Sequence, residues 1–249
     1  MKSFEVLFTP AEFAALPQRD LCRTVCVVFD VLRATSSIAT ALARGAAAVI
    51  PVAEISEALA WRAKQPDVLL AGERDGVRIR GALAGGIDFD LGNSPREFTP
   101  EIVRGKTIVT TTTNGTRALR SCAAAQTLLA GSFLNLGATA RAVEKLSPEN
   151  VLLVCSGTGE AAAFEDTLAA GALGDSLWDE SAATDSARMA RELFLRFESD
   201  LVAAMRHSAN ARRLLAQPDL RNDVAFCLRR DCFDLALEMK SGRVAPVPV

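Results

Sequence analysis

The chain has 249 residues, with 28 lysines and arginines against 30 aspartates and glutamates, a formal net charge of −2. That balance excludes a bulk basic surface for nucleic acid, and 49% apolar with 23% charged residues excludes a disordered chain. No uninterrupted apolar run approaches the roughly 18 to 20 residues of a membrane span, and the opening segment, broken by Glu5, lacks a secretory apolar region, so a cytoplasmic protein with no membrane partner is expected.

In chain order, strands are predicted over residues 4–8, 24–30, 48–52, 68–71, 107–112, 127–131 and 151–155. Amphipathic helical segments over 35–44, 56–64, 116–122 and 138–146 separate them, and Gly45 and Pro66 punctuate the ends of the first two. Continuous apolar strands alternating with helices predict an α/β chain whose largely parallel sheet is covered on both faces. Residues 72–93 hold six glycines and read as a long loop or short hairpin, a length that is usually functional inside a compact domain. From about 160 to 230 the pattern is helical, and the Ala/Gly-dense stretch 160–178 invites close backbone packing. With no repeat or linker, a single domain over 1–249 is expected, the helical part packed on it. The six cysteines accompany one histidine, His207, too few partners for a tetrahedral zinc site, and read as buried small hydrophobes.

In a parallel sheet, ligands bind beyond the carboxyl ends of the strands, so the segments that follow the strands carry the functional reading. Asp30-Val31-Leu32-Arg33-Ala34-Thr35-Ser36-Ser37 ends one strand and opens a helix, whose free N–H groups suit a phosphate or sulfonate. Asp30 is then a metal ligand or base and Arg33 an anion clamp; an N-cap cluster with an Asp–Arg pair explains the same residues. Thr110 to Arg117, including Thr113, Asn114, Gly115 and Thr116, forms an oxyanion-binding pattern, or a type I′ hairpin at Asn114-Gly115. Ser156-Gly157-Thr158-Gly159 follows a third strand, ahead of Glu165 and Asp166, which face either a metal, a site arginine or solvent. Glu73 and Arg74 reach the same sheet edge, and Asn93 or Ser94 is placed to cap a helix opened by Pro95.

These motifs stand in one order. With Gly72-Glu73-Arg74, Phe89-Asp90-Leu91-Gly92-Asn93-Ser94-Pro95, Ala130-Gly131-Ser132-Phe133-Leu134-Asn135 and Phe164-Glu165-Asp166-Thr167-Leu168, the chain resembles the 2-phosphosulfolactate phosphatase family over nearly its whole length. The resemblance implies a three-layer α/β/α fold and a magnesium-dependent hydrolysis of 2-phosphosulfolactate to 3-sulfolactate and phosphate, a step toward coenzyme M. It carries over Asp30, Arg33, Glu73, Asp90, Asn93, Asn114, Thr116, Arg117, Glu165 and Asp166 as site residues. Together with the junctions read above, Asp30, Arg33 and Asn114 are expected to be catalytic, with Thr35, Ser36, Arg74, Asn93, Ser94, Thr113, Gly115, Thr116 and Arg117 around a small anionic substrate. Asp30, Glu73, Asp90, Glu165 and Asp166, as the acids of this set, are the expected Mg2+ ligands. Arg33 is expected on the phosphoryl group and Arg117 on the anionic group that stays behind.

Three departures from the family pattern are Asp75 where a glycine is common, the inserted stretch 80–87, and an alanine within Ser208-Ala209-Asn210-Ala211 in place of a glycine. The first two border the expected site and bear on substrate identity. Two other readings stay open: a non-catalytic binder of a phosphorylated or sulfonated metabolite, and a phosphatase for another phosphorylated hydroxy acid. A homo-oligomer is compatible with the sequence.

Overall fold

A computed structural model describes residues 1–248. Its ten strands are β1 (Ser3–Leu7), β2 (Thr24–Phe29), β3 (Ala48–Pro51), β4 (Leu69–Arg74), β5 (Val77–Arg78), β6 (Thr107–Thr111), β7 (Thr127–Gly131), β8 (Asn150–Cys155), β9 (Ala236–Lys240) and β10 (Arg243–Val247). They form one mixed sheet in the order β1-β8-β2-β7-β9-β10-β3-β6-β4-β5. Within the first four the pairing is parallel, as it is among β3, β6 and β4.

Side-chain alternation explains why helices cover both faces. Val25, Val27 and Phe29 of β2, with Val151 and Leu153 of β8, pack toward helices Leu136–Leu146, Phe164–Ser176 and Asp185–Phe197. Cys26 and Val28, with Leu152 and Val154, turn to the other face and meet Ile38 and Leu42 of helix Ala34–Ala43 and Leu119 of helix Gly115–Ser121. A strand buried on both faces cannot carry a polar alternation, and β2 has none. The result is a three-layer α/β/α fold. In the helical third, Gly171 lets two helices touch: a Cβ there would lie 2.0 Å from the Ala190 carbonyl oxygen. Four cysteines are buried as small hydrophobes, whereas Cys22 is exposed and Cys232 half-buried.

Two segments differ from the expected strands, although the short hairpin expected within residues 72–93 is present. β4 runs on through Glu73 and Arg74 and turns back into β5, with Asp75 and Gly76 in left-handed conformation at φ 55° and 80°. Two residues with positive φ are what a tight hairpin of this hand requires. The second difference is larger. No strand is expected beyond 155, yet β9 and β10 form a hairpin seated in the middle of the sheet, β9 against β7 and β10 against β3. Ser241 and Gly242, at φ 50° and 75°, make its turn. The Ser-Gly pair between alternating runs was the available signal, and Pro246 argued against it because proline cannot donate to a ladder.

Candidate active site

The carboxyl ends of β2, β4, β6 and β8 open on one cavity of about 260 Å3. Asp30, Arg33, Glu73, Asn93, Thr113 and Asn114 line it, as expected residues of the site. Asp75, Gly76, the Gly157–Thr158–Gly159 loop, Asn210 and Arg213 complete the wall.

Asp30 follows β2 directly. Its Oδ1 accepts the Ala34 N–H at 2.9 Å, and its backbone N–H and carbonyl both bond Thr35 Oγ1, so the start of helix Ala34–Ala43 fixes the carboxylate. Gly115, at the start of the helix after β6, abuts the other oxygen: a Cβ there would lie 2.5 Å from Asp30 Oδ2. Removal from water pushes the Asp30 pKa up to about 7; the Ala34 N–H opposes this, the charges of Glu73 and Glu165 add to it, and Arg33 opposes it. Burial likewise holds the Asp166 carboxyl well above the usual range, with Glu165 and Asp30 adding to the effect and the N–H groups of Val31 and Gly157 opposing it. Those two N–H groups bond Asp166 at 2.8 and 3.1 Å, so Asp166 ties the loop after β2 to the loop after β8.

The other predicted acids have protein partners. Glu73 accepts the Gly76 N–H at 2.7 Å and both the N–H and the hydroxyl of Thr113 at 2.8 and 2.9 Å. Glu165 accepts Ser208 Oγ and Asn210 Nδ2. Asp90 lies away from the cavity, held by Arg62 and by the Leu70 N–H. The five acids therefore form no cage, and among the described residues no three His, Cys, Asp or Glu side chains come together as a metal cluster. The oxygens left without partners are different ones. Asn114 donates through Nδ2 to the carbonyls of Ser156 and Gly159, both at 2.9 Å, which fixes the amide and leaves its buried Oδ1 without a partner. Asp30 Oδ2 also receives no hydrogen bond among the described residues. One carboxylate and one amide oxygen suit Mg2+, which usually keeps several waters and takes substrate phosphate oxygens as ligands.

The hydroxyls and arginines divide. Thr35, Ser36 and Thr116 spend their hydroxyls on backbone carbonyls and serve the loops and helix starts. Residues 114–117 form no hairpin: helix Gly115–Ser121 follows β6. Ser94 caps no helix, its Oγ turning to Asp223 at 2.8 Å. Arg74 bonds the Glu73 carbonyl and Thr111 Oγ1 outside the cavity wall. Arg117, half-exposed, faces Glu160 at 3.5 Å and does not line the cavity. Arg33 does, and is only 3% exposed; its guanidinium donates to Asp223 Oδ2 at 2.8 Å and to the Gly76 carbonyl at 2.7 Å. Asn210, Arg213 and Asp223 come from helices Ala209–Leu215 and Arg221–Cys227, and sequence reasoning missed them as site residues. The only sequence signal was Ser208-Ala209-Asn210-Ala211, where Ser208 caps the helix by accepting the Ala211 N–H.

The profile of the 2-phosphosulpholactate phosphatase family matches residues 12–242. The chain belongs to that family. It is 40% identical over 242 residues to the probable 2-phosphosulfolactate phosphatase of Caldanaerobacter subterraneus subsp. tengcongensis, covering 96% of this chain and 97% of that one. To the Thermotoga petrophila protein of the same description it is 42% identical over 221 residues, covering 89% and 91%. The family is one of phosphoric monoester hydrolases, and its matched span contains every residue named on the cavity wall. Among the described residues no helix is long and apolar enough to cross a membrane.

Proposed function

We propose that this protein hydrolyses 2-phosphosulfolactate to 3-sulfolactate and inorganic phosphate with Mg2+. Family membership supports the ester, and one observation carries the cation: two oxygens without protein donors, Asp30 Oδ2 and Asn114 Oδ1, in two residues that line one cavity. These two residues would hold Mg2+, which when bound supplies charge neutralisation to the phosphoryl oxygens. The chain's own groups do the rest. The buried Arg33 guanidinium, held by the Asp223 pair on the cavity wall, stabilises charge on the phosphoryl group. Phosphoryl transfer passes through a loose transition state, so positioning and electrostatics outweigh covalent help. Water adds to phosphorus as the ester P–O bond breaks. The proton that water loses ends on the departing 2-oxygen of sulfolactate.

Phosphate release from 2-phosphosulfolactate, 2-phospholactate and p-nitrophenyl phosphate tests this. Turnover of the first should stop with a chelator and return with magnesium. Undiminished turnover in the chelator refutes the role of the cation. Tight binding without any phosphate release would favour the non-catalytic reading, and preference for 2-phospholactate a different hydroxy acid.

A further inference from the structure

Two arginines line the cavity, and their surroundings differ. Arg33 is buried and paired with Asp223. Arg213 has one hydrogen bond, NH2 to Asn210 Oδ1 at 2.9 Å, and no ion pair among the described residues. Asn210 is itself fixed, its Nδ2 donating to the Leu32 carbonyl at 2.7 Å and to Glu165 Oε1 at 3.1 Å, so its oxygen is turned toward Arg213. Gly76 lies beside it: a Cβ there would stand 3.6 Å from both terminal nitrogens of Arg213, ordinary contact distance, so the guanidinium sits against the β4–β5 turn. The guanidinium is thus oriented at the cavity rim with donors to spare. With Arg33 paired to Asp223 and the remaining charged residues of the wall, Asp30, Glu73 and Asp75, acidic, Arg213 is the cation there without an ion pair among the described residues, and so the group that can take a second anion.

We propose that Arg213 binds the oxyanion of the substrate that is not transferred, the sulfonate or carboxylate, and sets the preference for acidic phosphate esters over simple ones. This rests on the phosphatase reading above. A planar fork of donors suits either oxyanion. A contact to a group unchanged in the reaction binds ground and transition states alike, so its loss raises KM and spares kcat.

The test compares wild type, Arg213→Gln and Arg213→Lys, each checked for an unchanged melting temperature, which this exposed side chain should leave intact. KM of Arg213→Gln for 2-phosphosulfolactate should rise roughly ten- to a hundred-fold, the scale of one charge-assisted hydrogen bond, while p-nitrophenyl phosphate is unaffected. Arg213→Lys should recover part of the loss. A parallel KM rise for 2-phospholactate assigns the carboxylate, and an unchanged one assigns the sulfonate. Calorimetric binding of 3-sulfolactate, which carries no phosphate, should weaken by the same factor in Arg213→Gln. An equal loss on p-nitrophenyl phosphate, a loss of kcat alone, or no change overturns the proposal. If wild type hydrolyses none of the three esters the phosphatase reading fails, and the 3-sulfolactate affinities still decide the role of Arg213.

Discussion

Arg33 and Asp223, 190 residues apart, meet at 2.8 Å with their side chains 3% and 0% exposed. Asp223 also accepts Ser94 Oγ at 2.8 Å and Arg96 Nε at 2.7 Å, so one carboxylate from the helical third locks two separate segments around the cavity. Breaking a buried pair leaves the surviving charge without compensation. Asp223→Asn is expected to lower unfolding free energy by about 3–5 kcal/mol, read from denaturant midpoints. A change under about 1 kcal/mol, the range of exposed pairs, would mean that the pair is solvated.

The displaced titration of Asp30 has a consequence for stability. Its pKa is about 7 in the folded protein against an ordinary 3.8, so the folded state binds the proton more tightly. The favourable contribution is full below pH 3.8 and is lost as pH rises through 7. Without magnesium, Asp30→Asn should therefore melt higher than wild type at pH 8, with the gap closing toward pH 4. A gap that stays constant across this range would remove the titration from the account.

The same substitution should abolish most catalysis. Asn keeps the shape that bonds the Ala34 N–H but removes the charge that would hold the proposed cation. Steady-state kcat is expected to fall by roughly 10² or more, the scale of a lost acid–base group or ligand. A variant both more stable at pH 8 and nearly inactive would show stability given up for function. Near-normal turnover would leave Asp30 as a helix cap.

Gly115 offers a steric test. A Cβ would lie 2.5 Å from Asp30 Oδ2 and 2.6 Å from Ala34 Cβ, and neither atom sits at the end of a flexible side chain. Gly115→Ala should cost about 1–3 kcal/mol of stability through overpacking and reduce kcat by displacing the carboxylate. Unaltered stability and rate together would show that the two helix starts can separate.

Much of the site was legible because β–α junction chemistry is local. Asp30, Glu73 and Asn114 each follow or end a strand, and strand direction alone delivers them to one sheet edge. Arg33 and Arg117 read alike in the sequence, each beside a helix start, but helix Gly115–Ser121 turns Arg117 outward to Glu160. Asp90 follows a glycine-rich stretch, and no local rule says that Arg62 will claim it. Arg213, Asn210 and Asp223 were illegible for a different reason. Their helices have ordinary amphipathic patterns, and only long-range packing brings them over the cavity.

The hairpin of β9 and β10 makes the centre of the sheet the last part of it to leave the ribosome. Until that segment arrives, β7 and β3 are raw edges on two half-sheets, and each can pair with the wrong strand or with another nascent chain. The closing ladders are sparse, a single register pair on either side, Leu129 with Glu238 and Val49 with Val244. Because both long-range pairings must form together, closure belongs to the slow, non-local class of folding steps. A chain cut after residue 233 is expected to keep its parallel halves and aggregate through the two exposed borders, visible as insoluble product beside soluble full-length protein. The keystone of this architecture is thus a short late segment, and anything that delays its release prolongs the interval in which the protein is vulnerable.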